Sequence, residues 1–200
     1  MSRAISMRSS GSTRNPRRSA RARLLIVLAG EDHPKACTGR RLLHRGLAER
    51  VPGYVGLRPA PVVLDPYATD PIGAADAGAV ARGGLLAVDC SWNRLSARGR
   101  FPGDEGPKTR AGIRRRLPLL VATNPQHYGR IAQLNTVEAL AAALFLVGRA
   151  EEARTILGGF VGADSFLAVN GERLSAYARA PDADALRGEE RRLFGGDPDG

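Results

Sequence analysis

Three short runs without a polar side chain constrain this chain most: Leu24-Leu25-Ile26-Val27-Leu28, Val62-Val63-Leu64 and Leu85-Leu86-Ala87-Val88. A strand with one wet face alternates apolar and polar residues. A run that is apolar at every position predicts a strand buried on both faces, as in parallel sheets. The stretches between the runs read as helical. Leu42, Leu43, Leu47 and Val51 fall on one side of a helix whose wetter face carries Arg40, Arg41, Arg45 and Arg50, with Thr38 placed to cap it. A weaker helix spans Asp76 to Arg82. This β-then-α alternation predicts an α/β fold, a parallel sheet with flanking helices.

Beyond Trp92 the pattern changes. Asn93 to Pro107 is rich in Gly and Arg and reads as a connector. Thr109 to Arg116 reads as a basic helix, and Pro118 opens the segment Leu119 to Ala122. Asn135 to Val147 is the clearest helix, with Asn135 as N-cap, Glu138 as its reciprocal capping-box partner and Gly148 as its stop. Glu151 to Leu157 and Phe166 to Tyr177 add two more before an acidic, Gly-ending tail. The expected organisation is a basic arm over 1–23, an N-terminal α/β domain over 24–108 and an all-helical C-terminal domain over 109–200.

Charge narrows the partner. The chain has 30 Lys and Arg against 20 Asp and Glu, a formal net charge of +10. Only Lys35 and Lys108 are lysines. A biased genome explains Arg in place of Lys but not the excess of bases over acids, and the planar Arg fork suits phosphate. A polyanion, most simply RNA or DNA, is the expected partner. Residues 1–23 carry seven arginines and no acid, which is too little apolar surface to fold alone, so they read as a basic arm or a functionless tail. Cys37 and Cys90 are the only cysteines, and His33, His44 and His127 are scattered, so no metal site is expected. No apolar run approaches a membrane span and the start lacks a signal-peptide core, so the expectation is a soluble, cytoplasmic protein that binds no membrane.

Where Leu85–Val88 runs out, Asp89-Cys90-Ser91-Trp92 places an acid and the only Trp of the chain. The carboxyl end of a strand is where α/β proteins bind ligands. Three further segments accompany it in order: Asp32-His33-Pro34-Lys35-Ala36-Cys37-Thr38-Gly39, Leu64-Asp65-Pro66, and Arg116-Leu117-Pro118 through Asn124-Pro125-Gln126-His127-Tyr128-Gly129 into Leu134-Asn135-Thr136. Together these resemble the rRNA aminocarboxypropyltransferases of ribosome biogenesis, over roughly Leu24 to Tyr177. The resemblance implies a SPOUT-like fold with a deep trefoil knot, a topology that no periodicity reveals and that is rare in proteins. It also implies a monomer acting on small-subunit rRNA or a pre-ribosomal subunit. The activity it implies is transfer of the 3-amino-3-carboxypropyl group of S-adenosylmethionine to N3 of an N1-methylpseudouridine.

Carried residue by residue, the resemblance puts the adenine between Leu64, Pro66 and Trp92 on one wall and Leu117, Leu134 and Ala139 on the other. Val88 and Thr136 would meet the ribose, and Thr38 the amino-acid moiety. Asp89 would be the carboxylate of the pocket, as base for the acceptor nitrogen or as partner of the cofactor's amino group or sulfonium. Lys35, Arg40 and Arg41 would hold rRNA phosphates or form a solvated helix face, and Arg114, Arg115 and Arg116 divide the same way. Asn124, Pro125, Tyr128 and Gly129 would shape a loop under the cofactor. Cys37 and Cys90 read as packing residues. Two alternatives stay open at this point: a SPOUT-type RNA methyltransferase with the same cofactor, and a non-catalytic rRNA-binding assembly factor. A P-loop is excluded, since Gly30 to Arg40 lacks the Gly-Lys-Ser/Thr ending.

Overall fold

The computed structural model describes residues 21–29, 37–99, 101–102 and 112–195. Five parallel strands form one sheet in the order β2-β1-β4-β3-β5. They are β1 (Leu24–Leu28), β2 (Glu49–Arg50), β3 (Val62–Leu64), β4 (Leu85–Asp89) and β5 (Ile113–Arg115). The three apolar runs are its central strands, β1, β4 and β3, in register Leu24–Leu85–Val62 and onward. Each is buried on both faces because side chains alternate. Leu24, Ile26, Val62, Leu64, Leu85 and Ala87 enter one core, while Leu25, Val63 and Leu86 enter a second with Val51, Tyr54, Leu95 and Phe101.

Seven helices accompany the sheet among the described residues: α1 (Thr38–His44), α2 (Ala77–Gly83), α3 (Trp92–Arg98), α4 (Thr136–Leu146), α5 (Ala150–Leu157), α6 (Ala163–Arg179) and α7 (Ala183–Phe194). Helix α4, TVEALAAALFL, has no wet face. Leu140, Ala141, Ala142, Ala143 and Leu144 have no exposed surface at all, which marks the central helix of a core rather than a surface one. It packs on β4, α1, α5 and α6. Each fully buried Leu contributes on the order of 1.5–3 kcal/mol.

Several sequence expectations are corrected. The N-cap of α1 is Cys37, whose Sγ accepts from the Arg40 N–H at 3.3 Å, and Thr38 is the first helical residue. The helix ends at His44, so Leu47 and Val51 lie beyond it, and Val51 joins the second core. A two-residue edge strand, β2, follows; its exposed Glu49 and Arg50 gave no apolar signal, as suits an edge. The supposed connector after Trp92 begins as helix α3, ended by left-handed Gly99. The supposed basic helix is strand β5, paired with β3 at Val62–Ile113, Val63–Arg114 and Leu64–Arg115. Arginine in a strand looks misplaced until its partners are seen. Arg114 Nε donates to Asp65 at 2.6 Å, and Arg115 Nε to Asp76 at 3.1 Å. The chain beyond residue 108 is therefore not wholly helical.

The acidic tail is also corrected: it is α7, capped by Asp182, whose side chain accepts from the Ala185 N–H at 2.8 Å. Its Glu190, 1% exposed, takes both nitrogens of Arg116 at 2.7 Å and the Leu119 N–H at 2.9 Å. This fork fixes α7 against the chain just past β5. Breaking a buried pair costs about 3–5 kcal/mol, and the 19% exposure of the Arg116 side chain softens that. Glu190→Ala is expected to lower the urea unfolding free energy by about 2 kcal/mol, against under about 0.5 kcal/mol for Glu189→Ala on the surface of the same helix.

Candidate functional site

A cavity of about 620 Å³ opens where β3 and β4 end, a volume suited to a small molecule. Leu64, Pro66, Val88, Trp92, Leu117, Leu134, Thr136 and Ala139 all line it, so the structure gathers these sequence-predicted residues round one space. They come from four places. Leu64 and Pro66 end β3, and Val88 and Trp92 bracket the end of β4. Leu117 follows β5, while Leu134, Thr136 and Ala139 surround the start of α4. Trp92 joins the two sides, donating from Nε1 to the Leu134 carbonyl at 2.8 Å. That bond fixes the plane of the indole and satisfies its polar atom, leaving the ring face free to pack.

Thr38 and Asp89 do not line this space. Asp89 is 8% exposed and lies behind the wall. Its Oδ2 accepts from the Cys37 thiol at 2.7 Å and the Gly39 N–H at 3.1 Å, and its Oδ1 accepts from the Thr136 hydroxyl at 2.9 Å. One carboxylate thus ties the start of α1 and the start of α4 to the end of β4. Gly39 is required by this approach, since a Cβ there would sit 2.1 Å from Asp89 Oδ2. Arg40 is exposed on α1. Arg41 is engaged within the fold: it donates to the Gly159 carbonyl at 3.0 Å, with its guanidinium 4.4 Å from the centre of the Phe160 ring. Lys35 lies outside the described residues.

Other residues escaped the sequence. Asp65 lines the cavity, is 2% exposed, and accepts from Arg114 and from the Tyr67 N–H at 2.9 Å. Tyr67 lines it too, with its hydroxyl on the Leu95 carbonyl at 3.0 Å. Arg116, Arg187, Glu190 and Arg191 give one end of the cavity a charged border. Arg187 and Arg191 could have been found only by recognising α7, whose Asp182 cap and leucines at 186 and 193 are the available signal. Glu138, read as a cap, does more than cap. It is 2% exposed and accepts from Thr123 N and Oγ1, from Asn124 Nδ2 and from Asn135 N.

Burial, followed by its bond to Asp89, pushes the Cys37 thiol up to about 12. Cys37 therefore stays a protonated donor across the neutral range, and thiolate chemistry is closed to it. Cys90 lines the cavity and is half-buried. At pH 8, iodoacetamide is expected to label Cys90 in the native protein and to reach Cys37 only after unfolding, as peptide mass mapping will show; native labelling of Cys37 would contradict this site geometry.

Comparison with known proteins agrees with the geometry. A family model described as "Ribosome biogenesis protein, C-terminal" matches residues 62–193. A 16S rRNA aminocarboxypropyltransferase of Methanopyrus kandleri is 42% identical over 180 residues, covering 88% of this chain and 99% of the relative. An 18S rRNA aminocarboxypropyltransferase of Schizosaccharomyces pombe is 38% identical over 82% of this chain, which spans 54% of that longer protein. The solved structure of a SAM-dependent rRNA:acp-transferase from Vulcanisaeta distributa superposes with a TM-score of 0.75 at 34% identity, covering 88% of this chain and 90% of the other.

Proposed function

This chain belongs to the rRNA aminocarboxypropyltransferase family, and on that premise we propose that it moves the 3-amino-3-carboxypropyl group of S-adenosylmethionine to small-subunit rRNA during ribosome biogenesis. The observation that carries this reading is the two-walled slot. Leu64, Pro66 and Trp92 face the same cavity as Leu117, Leu134 and Ala139. A flat heteroaromatic ring fits apolar walls with an aromatic among them, so the residues present suit the adenine of that cofactor. When bound, the cofactor supplies an electrophilic carbon chain on a sulfonium. The protein decides which carbon is presented by how firmly its walls hold the rest.

Within this reading Asp89 is a positioning residue. Its oxygens already accept three hydrogen bonds, and it stands behind the lining rather than in it. It orients the Thr136 and Val88 side of the slot and, through Cys37 and Gly39, the start of α1. Proximity then supplies much of the rate, as the C–S bond breaks and the N–C bond forms, with the N3 proton passing to solvent water. Arg40, with Lys35, is the group we assign to rRNA phosphate. Arg41 instead holds the 159–160 turn.

The finer features follow the family. The acceptor is N3 of an N1-methylpseudouridine, met on a pre-ribosomal subunit by a cytoplasmic monomer. The fold is SPOUT-like with a deep trefoil knot. What supports the knot is the family resemblance. No helix among the described residues is long and apolar enough to cross a membrane.

Calorimetry with S-adenosylmethionine, followed by transfer assays with carboxyl-labelled and methyl-labelled cofactor, tests the reading. Trp92→Ala is expected to weaken cofactor binding at least tenfold, about 1.4 kcal/mol. The carboxyl label is expected to pass to small-subunit rRNA and the methyl label to stay behind. Passage of the methyl label would make the protein a methyltransferase, and absence of cofactor binding would make it an assembly factor. Asp89→Ala is expected to weaken cofactor binding, while Asp89→Asn, which keeps an oxygen acceptor, retains part of it; loss of turnover at unchanged affinity in both would restore Asp89 as the base.

A further inference from the structure

Four tyrosines occur in the chain, and three are anchored. Tyr54, Tyr67 and Tyr177 each donate a hydroxyl hydrogen bond to a backbone carbonyl, of Pro102, Leu95 and Leu119 respectively. Among the described residues Tyr128 is the tyrosine without such a bond, and it is 72% exposed. Sequence reasoning assigned it to a loop under the cofactor, yet its side chain is largely open to solvent. Leaving an aromatic of this size in water forgoes the burial such a ring usually finds, which calls for a use.

The loop that carries it is held rigidly. Ala122 N–H donates to the Arg130 carbonyl at 2.9 Å, Gly129 N–H to the Ala122 carbonyl at 2.8 Å, and Ala132 N–H to the Leu120 carbonyl at 2.9 Å. Val121 and Ile131 form an antiparallel bridge. Below, Glu138 holds Thr123 and Asn124, and Thr123 Oγ1 lies 3.0 Å from the Gly162 carbonyl as well. His127 N–H is fixed on Asn124 Oδ1 at 3.0 Å. The tip is thus a pinned hairpin, and Tyr128 is presented at no further ordering cost to the backbone.

Its position is informative. Four residues on, Ala132 lines the cavity, followed by Leu134. Two residues after Tyr128, Arg130 is exposed and donates to Gln133 Oε1 at 3.4 Å. An exposed aromatic and an exposed guanidinium two residues apart, on a hairpin whose return leads into the cavity lining and on a chain of net charge +10, match how single-stranded RNA is gripped: a base on the ring, a phosphate on the cation. A nucleotide whose base must enter a cavity leaves its neighbours unstacked, and they need a new stacking partner.

We propose that Tyr128 is a stacking platform for an rRNA base flanking the acceptor nucleotide, with Arg130 on the adjoining phosphate. This rests on the functional reading above. The test measures anisotropy of a labelled small-subunit rRNA transcript with the full-length wild type, Tyr128→Ala and Tyr128→Phe. Calorimetry with S-adenosylmethionine and carboxyl-label transfer are run on the same samples. Loss of one stacked base is worth a fall in RNA affinity of roughly 5- to 100-fold. Tyr128→Ala is expected to show it, with cofactor affinity and melting temperature unchanged, and Tyr128→Phe to bind as wild type. If wild type transfers label but Tyr128→Ala binds and transfers equally well, the platform is refuted and the activity stands. If wild type neither binds nor modifies the transcript, the functional reading falls and takes the platform with it. If RNA affinity holds in Tyr128→Ala while binding to assembled pre-ribosomal particles drops, the ring meets protein and the proposal is overturned.

Discussion

The cavity depends on the N-terminus of α4. That helix would leave four N–H groups without partners, in a place where water is excluded. Asn135 and Glu138 satisfy two of them reciprocally, and Glu138 then has acceptor capacity left over. It spends that capacity on Thr123 and Asn124, so a helix cap becomes the anchor of the 121–131 hairpin. Two residues before Glu138, Thr136 bonds Asp89, and just before the helix Leu134 receives Trp92. The hairpin anchor, the Asp89 strut and the Trp92 bond therefore meet within five residues. A buried carboxylate without a cation is costly unless all its lone pairs are used, which is the condition Glu138 meets with four donors.

Much of the sheet was legible because burial on both faces writes an unambiguous run: Leu24–Leu28, Val62–Leu64 and Leu85–Val88 admit little else. Helix α4 was legible for a similar reason, with its Asn135–Glu138 box and Gly148 at its end, φ +81°. What failed to show was structure built from charged residues. Strand β5 reads Ile-Arg-Arg, and its arginines belong there only because Asp65 and Asp76, remote in sequence, receive them. Helix α7 looked like a soluble tail, since the fork between Glu190 and Arg116 spans 74 positions. Long-range ion pairs leave no local periodicity, so local patterns miss them.

The site divides along the same line. The apolar slot residues were named correctly as neighbours because the family's motifs place them, and the structure puts all of them on one cavity. Asp89 was read from its motif at the end of β4, and Arg41 from its place beside Thr38. The hydrogen bonds put the Asp89 carboxylate behind the lining, on Cys37 and Thr136, and the Arg41 guanidinium on the 159–160 turn. Residue type suggests a chemical capability; whether that capability is free depends on partners elsewhere in the chain.

That distinction changes what the charge of +10 means. Arg114, Arg115 and Arg116 stand on Asp65, Asp76 and Glu190, while Arg41 and Arg45 lie on backbone carbonyls and the Phe160 ring. These cations hold the fold together and are poorly placed to neutralise RNA phosphates. Among the described residues near the site, exposed cations that remain for a polyanion include Arg40 on one side, Arg130 on the hairpin and Arg191 at the charged border of the cavity. Counterion release scales with the number of phosphates neutralised, so the cations committed to the fold are lost to that term. Contacts that do not depend on charge add to it. Two described tyrosines leave aromatic surface uncovered for such contacts: Tyr67, which lines the cavity, and Tyr128, presented on the pinned hairpin that leads into it.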